Sequence, residues 1–303
     1  MRSVNRRAAV VALLALAGCG NWSNEDIVFV EALPTTQALR VALPAQQARP
    51  LCAGLGESQV WLGAKQTGDG LNSGVDFLVN LVDTVKSVTP TTRRADAREW
   101  GPFDDGKHPG KEIRITMTRS RDVEGVPTYA YAFEARPSGG AFQSVLDGSF
   151  SGPSARAGKG TFTLRFTVLR ALGMNDNPTD PTGDMAVTYD RSGDPRTVTV
   201  GLTRDGFGLT AFDYAYAGYQ AGQGTFFFQF VDAQSRKLII DTQFTPAGAG
   251  HATVTVVGPN GGRAEYQQCW DEASCITNVR DPFGISGLCQ GLSCPTTGPC
   301  PSP

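Results

Sequence analysis

The sequence has few of the side chains that bind transition metals or act as general bases. It contains two histidines, His108 and His251, and no C-x-x-C pair, so we expect no zinc site. Asp176, Asp180 and Asp184 lie together in the loop-like stretch MNDNPTDPTGD, but they lack the regular alternation of a calcium-binding loop. We therefore predict neither a metal nor another cofactor.

The common catalytic motifs are also absent. The sequence has no G-x-S-x-G, no H-E-x-x-H, no phosphate-binding loop and no dinucleotide-binding fingerprint. The stretch GSFSG has Phe150 where the first of these motifs has serine. His108 lies beside Asp104 and Asp105 in DDGKHPGKE, whose glycines and proline indicate an exposed turn. These observations do not favour an enzyme.

The chain has neither an excess of basic residues nor a second long apolar run. Its 27 Lys and Arg face 29 Asp and Glu, and this mild acidity argues against nucleic-acid binding. The one apolar run, at 8–17, is about ten residues long, which is too short to span a bilayer. Because Arg2, Arg6 and Arg7 precede it, it predicts a signal peptide over residues 1–18, followed by a water-soluble chain.

The end of this apolar run points to lipid attachment. Its last residues are Leu16-Ala17-Gly18-Cys19, which resemble the lipobox of bacterial lipoproteins. The resemblance implies that Cys19 receives diacylglycerol and palmitate and becomes the first residue, and Gly20 after it favours the outer membrane. Removal of three arginines leaves 24 basic and 29 acidic residues, a formal charge of −5. We expect residues 19–50 to form the lipidated terminus and a tether that partly docks on the folded body.

The other six cysteines suggest disulfides in an oxidising compartment. Five of them lie near the carboxyl terminus, so if all pair, Cys52 must join the start of the folded region to its end. The pairing stays open among 15 arrangements. We expect residues 271–303 to be a disulfide-stapled tail, and the candidates are Cys52, Cys269, Cys275, Cys289, Cys294 and Cys300.

Residues 51–270 predict one helix followed by a sheet. Apolar residues recur at helical spacing over about 74–88, and from Lys111 onward they alternate with polar residues in about eleven segments separated by short turns. Short connections imply antiparallel neighbours, so the fold class is mainly β: an up-and-down curved sheet, a half-barrel or open barrel, with the helix packed on its concave side. The segments are EIRITMTR, TYAYAFEA, FQSVLDGSF, TFTLRFTV, MAVTY, TVTVGL, FDYAY, TFFFQFV, KLIIDTQF, ATVTVV and AEYQQCW.

One face of this predicted sheet is rich in aromatic residues. GKGTFTLRF at 158–166 and GQGTFFFQF at 222–230 share the pattern G-x-G-T-F, and alternation places their aromatic residues on one side of a strand, except for Phe227, which faces the other way. That side is either a filled core or the lining of a cavity for an apolar ligand. The candidate lining residues are Phe162, Phe166, Tyr214, Tyr216, Phe226, Phe228, Ile240 and Phe244.

The expected function follows from the anchor and the sheet. We expect a cell-envelope lipoprotein with a structural or protein-binding role, attached to the membrane through its lipid. The predicted architecture is similar to that of the half-barrel carriers of lipids and lipoproteins in the bacterial periplasm. This resemblance implies an alternative, a carrier that holds an acyl chain or a lipoprotein against the aromatic face.

Overall fold

A computed structural model describes most of the chain after its first 22 residues. The described ranges are 23–35, 39–44, 52, 54–153, 157–175, 183–202, 212–232, 234–288 and 300, and the side chains of 73–86 are outside this description. The fold is mainly β and consists of one antiparallel sheet of 14 strands in sequence order. The strands are β1 (Thr92–Arg93), β2 (Ala97–Asp104), β3 (Lys111–Arg121), β4 (Pro127–Pro137), β5 (Gln143–Ser151), β6 (Lys159–Arg165), β7 (Asp184–Asp190), β8 (Arg196–Leu202), β9 (Phe212–Gly218), β10 (Gly224–Val231), β11 (Lys237–Phe244), β12 (Gly250–Val257), β13 (Arg263–Trp270) and β14 (Ile276–Arg280).

The up-and-down order is confirmed, and the sheet is open because β1 and β14 are its two edges. The eleven predicted segments correspond to β3–β13, but three strands were missed. Strand β2 was missed because Gly101 and Pro102 interrupt its alternation, and the pairing register shifts there. Strands β1 and β14 are only two and five residues long, too short for a periodic signal.

The alternating strand direction gives the sheet two ends. One carries the turns at 94–96, 122–126, 191–195, 219–223 and 271–275, and we call it the proximal end. The other, the distal end, carries the turns at 105–110, 138–142, 232–236 and 258–262. Successive turns therefore lie at alternate ends of the sheet.

Within the described ranges, three helices accompany the sheet: α1 (Asn24–Glu31), α2 (Gln59–Lys86) and α3 (Phe166–Ala171). The prediction of a single helix over 74–88 was therefore wrong in the number of helices and in the residue at which the long helix begins. Helix α2 begins 15 residues earlier, where the Ser58 hydroxyl accepts a hydrogen bond from the Trp61 amide at 3.1 Å and caps the helix. Its apolar stripe lies among the side chains outside the described part. No described helix is both long and apolar enough to cross a membrane.

Alternation places one face of the sheet inside. Aligned cross-strand partners form rows of buried side chains, and the polar partners point outward. The prediction for β6 was partly wrong, because the strand ends at Arg165 and the chain turns into α3. Phe166 and Val168 are consequently on a helix and do not continue the row of Phe162.

Inward glycines recur on the inner face, each opposite an aromatic residue. The aligned pairs are Gly148 with Tyr131, Gly160 with Tyr189, Gly224 with Phe244 and Gly250 with Trp270. A Cβ atom at any of these glycines would lie 2.6–3.0 Å from an atom of the ring opposite, so each ring covers the bare backbone. This explains the second glycine of the G-x-G-T-F pattern at both places, since Gly160 and Gly224 lie in the first two residues of their strands under a neighbouring ring.

Candidate functional site

The structure brings together seven of the eight predicted lining residues on the inner face. Tyr214 pairs with Phe228, and Phe228 with Ile240, in one row. The same row reaches Phe162 through Val187 and Val200. The seven side chains are at most 7% exposed: Phe162, Tyr214, Tyr216, Phe226, Phe228, Ile240 and Phe244. The eighth, Phe166, is partly buried against the core at the start of α3.

Ring contacts join the centre of this face. The Phe226 ring lies 5.3 Å from Tyr214 and 5.5 Å from Phe228, measured between centroids, and Phe228 stacks on Phe230 at 6.4 Å. Burial raises the pKa of both Tyr214 and Tyr216, so these phenols stay neutral at physiological pH. The aromatic residues thus fill space by contacting one another.

The start of α2 covers the inner face over β11–β13. The Trp61 ring stacks on Trp270 at 5.2 Å and tilts against Phe244 at 5.6 Å. The Ser58 hydroxyl donates to the Gln268 side-chain oxygen at 2.5 Å, so the helix cap is also bonded to the sheet. Trp61 is 2% exposed, and this corner of the face is closed.

A short extended segment, residues 39–44, covers the proximal side beside α2. The Val41 amide donates to the Asn72 side chain at 2.9 Å, and the Asn72 amide group donates to the Val41 carbonyl at 3.0 Å. The Tyr216 hydroxyl donates to the Ala42 carbonyl at 3.1 Å. Gly68 allows the segment to approach the helix, because a Cβ there would lie 2.9 Å from Leu43.

The distal row of the inner face is less covered over β8–β12. There Leu202 aligns with Phe212, Phe212 with Phe230, and Phe230 with Leu238. Leu202, Phe230 and Leu238 are partly exposed, whereas Leu146 and Leu164, on the β5–β6 side of the same row, are at most 3% exposed. Helix α3 packs on this β5–β6 side through Leu169. The inner face is therefore sealed unevenly.

A cleft of about 670 Å³ lies where segment 39–44 meets the proximal turns. We call it the arginine cleft, because Arg40, Arg191 and Arg196 line it together with Tyr216 and Tyr219. Arg196 is the cross-strand partner of Gly218, which pairs with Gly224 beside Phe244. The row of aligned inward-facing residues nearest the proximal end therefore carries aromatic side chains over β11–β13 and a cationic one, Arg196, on β8.

A buried ion pair attaches α1 to the first strands. The Asp26 carboxylate is fully buried and accepts hydrogen bonds from Arg98 at 2.5 Å and from Arg93 at 3.0 Å. Burial opposes ionisation, but the hydrogen bonds from Ser23 and the two arginines lower the pKa of Asp26 to about 2. Phe29 on the same helix is fully buried against the edge of the Tyr129 ring at 5.8 Å.

The described cysteines form two disulfides, of the kind that the even number of cysteines suggested. Cys52 pairs with Cys275, 223 residues away, and joins the segment that precedes α2 to the turn before β14. Cys269 pairs with Cys300. The expected link between Cys52 and the carboxyl-terminal region is thus confirmed. Cys19, Cys289 and Cys294 lie outside the described residues.

The structure describes part of the remaining polar candidates. His108 bonds Asp105 through Nδ1 at 2.7 Å, within the β2–β3 turn. Burial opposes ionisation of Asp105, but hydrogen bonds from His108 and the Lys107 amide lower its pKa. No three His, Cys, Asp or Glu side chains of the described residues converge as metal ligands. Asp176 and Asp180 lie outside that part.

The arginine cleft and the α1 ion pair were not predicted from the sequence. Arg191 and Arg196 flank the turn RSGDPR, and antiparallel pairing alone would have put them at one sheet end. Arg40 and Asp26 belong to a stretch interpreted as a tether, where no periodicity pointed to contacts with the sheet. Comparison of the chain with protein-family models, with curated proteins and with solved structures gave no match.

Proposed function

We propose that the chain is an exported lipoprotein of the bacterial cell envelope, anchored in the outer membrane through Cys19, with a structural or protein-binding role. The observation that carries this proposal is the sequence LAGC, placed directly after a basic region and an apolar run of about ten residues. Several acyl chains on Cys19 would give a stable anchor, since a single chain binds only marginally.

The disulfides support export. Disulfides persist in oxidising compartments and are rare where thiols are kept reduced. The bond between Cys52 and Cys275 closes nearly the whole folded region, and the bond between Cys269 and Cys300 holds the carboxyl-terminal segment to β13. A chain that depends on such bonds is suited to the periplasm or the cell surface.

The filled inner face supports a role that uses the outer surfaces. Seven of the eight aromatic and aliphatic candidates are buried against one another or under Trp61 and segment 39–44. Buried rings in mutual contact stabilise a core and leave little room for a ligand among them. Partners would then bind turns, edges or the polar face of the sheet.

The dimensions of α2 support a curved sheet with that helix across its concave side. At about 4.8 Å per strand, the eleven steps from β2 to β13 would span roughly 53 Å in a flat sheet. Helix α2 begins at β13 through Trp61, and the Val88 carbonyl after it accepts a hydrogen bond from Trp100 of β2. Those 27 residues reach only about 40 Å as a helix, so the sheet must bend toward α2.

The anchor is tested by substitution of the cysteine. We expect Cys19→Ala to abolish incorporation of labelled palmitate and to remove the protein from the outer-membrane fraction. Asn21→Ala, two residues beyond, keeps the LAGC sequence and should leave both measurements unchanged. Persistence of palmitate label in the Cys19→Ala protein would refute the proposed anchor.

The alternative function is that of a carrier for an apolar ligand, and one observation favours it. The distal row is partly exposed at Leu202, Phe230 and Leu238, which would give an acyl chain a place to enter. Phe228 lies between this distal row and the buried part of the inner face. If the chain is a carrier, Phe228→Trp should abolish binding of a labelled fatty acid without unfolding the domain. Absence of fatty-acid binding by the unsubstituted protein would exclude this alternative.

A further inference from the structure

Segment 39–44 is bound to α2 through its main chain. The Asn72 side chain bonds both the amide and the carbonyl of Val41, at 2.9 and 3.0 Å. Three residues later, the Pro44 carbonyl accepts a hydrogen bond from the Lys65 ammonium at 3.0 Å. Bonds of this kind hold an extended backbone whatever its side chains are, as when a receptor binds a peptide.

The segment runs antiparallel to the helix, and the lengths of the two match. Val41 lies at Asn72, and Pro44 lies at Lys65, seven residues earlier on α2. Seven helical residues rise about 10.5 Å, and three residues of extended chain span about 10 Å. The main chain of the segment therefore stays level with one face of α2 over two helical turns.

The side chains of the segment alternate between the helix and the outside. Val41 is 5% exposed and Leu43 is partly buried, whereas Arg40 and Ala42 are exposed. A Cβ atom at Gly68 would lie 2.9 Å from Leu43 and 3.6 Å from Val41, so both apolar side chains rest on this glycine. Main-chain bonds together with recesses for every second side chain are the features by which proteins select extended peptides.

Open space borders the segment on both sides. A cleft of about 410 Å³ lies between the segment and α2, and the arginine cleft lies between the segment and the proximal turns. We call the surface under the segment the α2 groove, formed by Lys65, Gly68 and Asn72 of α2 and by Tyr216 of β9. The α2 groove is therefore wider than the segment that lies in it.

The attachments on either side of the segment do not depend on its place in the groove. Before the segment, Asp26 bonds α1 to Arg98. After it, Cys52 is bonded to Cys275, and the start of α2 is held against the sheet by Trp61. The segment can therefore leave the groove while both helices remain in place. A segment fastened at both ends is also poorly placed to reach a second copy of the chain.

We propose that the α2 groove is a peptide-binding site and that segment 39–44 is its resident, displaceable occupant. The partner is an extended segment of another envelope protein that carries two apolar side chains two residues apart, as Val41 and Leu43 do. This inference rests on the proposed protein-binding role and names a site for it. Because the resident segment is tethered, it competes at an effective concentration of about a millimolar, so an external peptide binds well only when the segment is displaced.

The test measures binding of a labelled peptide to the full protein. The probe is a fluorescent peptide with the sequence of residues 38–45, ALRVALPA. In the protein, Val41→Asp with Leu43→Asp should free the groove, because burial of unpaired charge is costly. Fluorescence anisotropy should then show that the peptide binds about tenfold more tightly than to the unsubstituted protein. Adding Asn72→Ala, which removes two bonds to the peptide main chain, should weaken binding by about tenfold.

Matched controls separate the groove from non-specific binding. A peptide with Asp in place of its Val and second Leu should not bind. Asn260→Ala, in the exposed β12–β13 turn, should leave the affinity for the peptide unchanged. Absence of binding by a folded Val41→Asp, Leu43→Asp protein would overturn the proposal, and so would binding that Asn72→Ala does not weaken. A dimer of the unsubstituted protein that Val41→Asp with Leu43→Asp converts to a monomer would make a second copy the occupant and also overturn it.

Amide hydrogen exchange tests displacement without substitution. The Val41 amide donates to Asn72, and its protection should be roughly a hundredfold lower than that of the Phe226 amide in the middle of the sheet, because the segment opens while the sheet stays folded. Equal protection of the two amides would show that the segment leaves only when the protein unfolds, and the proposal would then be wrong.

The groove and the anchor fail separately. Peptide binding is measured on purified protein in solution, whereas the anchor is measured by palmitate label at Cys19. Peptide binding together with palmitate label that persists in Cys19→Ala would refute the anchor and leave the groove supported. Loss of label in Cys19→Ala without any peptide binding would overturn the groove alone.

Discussion

The two ends of the inner face differ in what covers them. At the proximal end, Trp61 and segment 39–44 lie over Phe244 and Tyr216, which are at most 6% exposed. At the distal end over β8–β12, Phe230 and Leu238 remain partly exposed. The same strands and the same alternation supply both rows, so elements that are distant in sequence decide which row becomes core.

The largest expected effect is the loss of the bond that holds the proximal cover. Cys52→Ser with Cys275→Ser opens a loop of 223 residues, and chain entropy predicts a loss of about 5 kcal/mol in the free energy of unfolding. Guanidinium chloride unfolding of the oxidised proteins measures it. A loss below about 1 kcal/mol would mean that α2 docks without help from the disulfide.

Equal truncations at the two ends should differ in cost. Phe226 is fully buried, and Phe226→Ala should lower the free energy of unfolding by about 3–5 kcal/mol. Phe230, two residues later on the same strand, is partly exposed, and Phe230→Ala should cost about 1–2 kcal/mol. Both are measured by urea unfolding. Equal losses would show that the distal row is covered as well as the proximal one.

The attachment of α1 should weaken in acid. Because the pKa of Asp26 is about 2 in the folded protein, below its ordinary value of 3.8, its contribution is complete above about pH 4 and disappears as the pH falls toward 2. The loss should be about 2 kcal/mol, measured by unfolding at each pH. Asp26→Asn should be less stable at neutral pH and should lack this part of the acid dependence. An unchanged pH profile in Asp26→Asn would refute the assignment.

The smallest effect concerns the ring that covers a glycine. A Cβ at position 224 would lie 2.6 Å from the Phe244 ring, so Gly224→Ala should cost about 1–2 kcal/mol. Gly262→Ala is the matched control, because no atom lies within 4 Å of a Cβ there, and it should change stability by less than about 0.5 kcal/mol. Adding Phe244→Leu to Gly224→Ala should recover part of the loss if the clash is with the ring. Both comparisons use thermal unfolding.

Period-two alternation was enough to predict β3–β13 and the inner position of seven lining residues. Alternation could not show that Phe166 leaves the strand, since its spacing fits either structure. The early start of α2 was hidden by Gly63, Gly68 and Gly70, which lower helix propensity although tertiary contacts with Leu43 and Trp270 favour the helix. The arginine cleft depends on segment 39–44, whose docking has no local signal in the sequence.

The central claim is that the inner face is a filled core, and native mass spectrometry of the intact protein tests it most directly. We predict that unfolding releases no apolar molecule. A released acyl compound that is lost in Phe228→Trp would contradict the claim and identify the protein as a carrier.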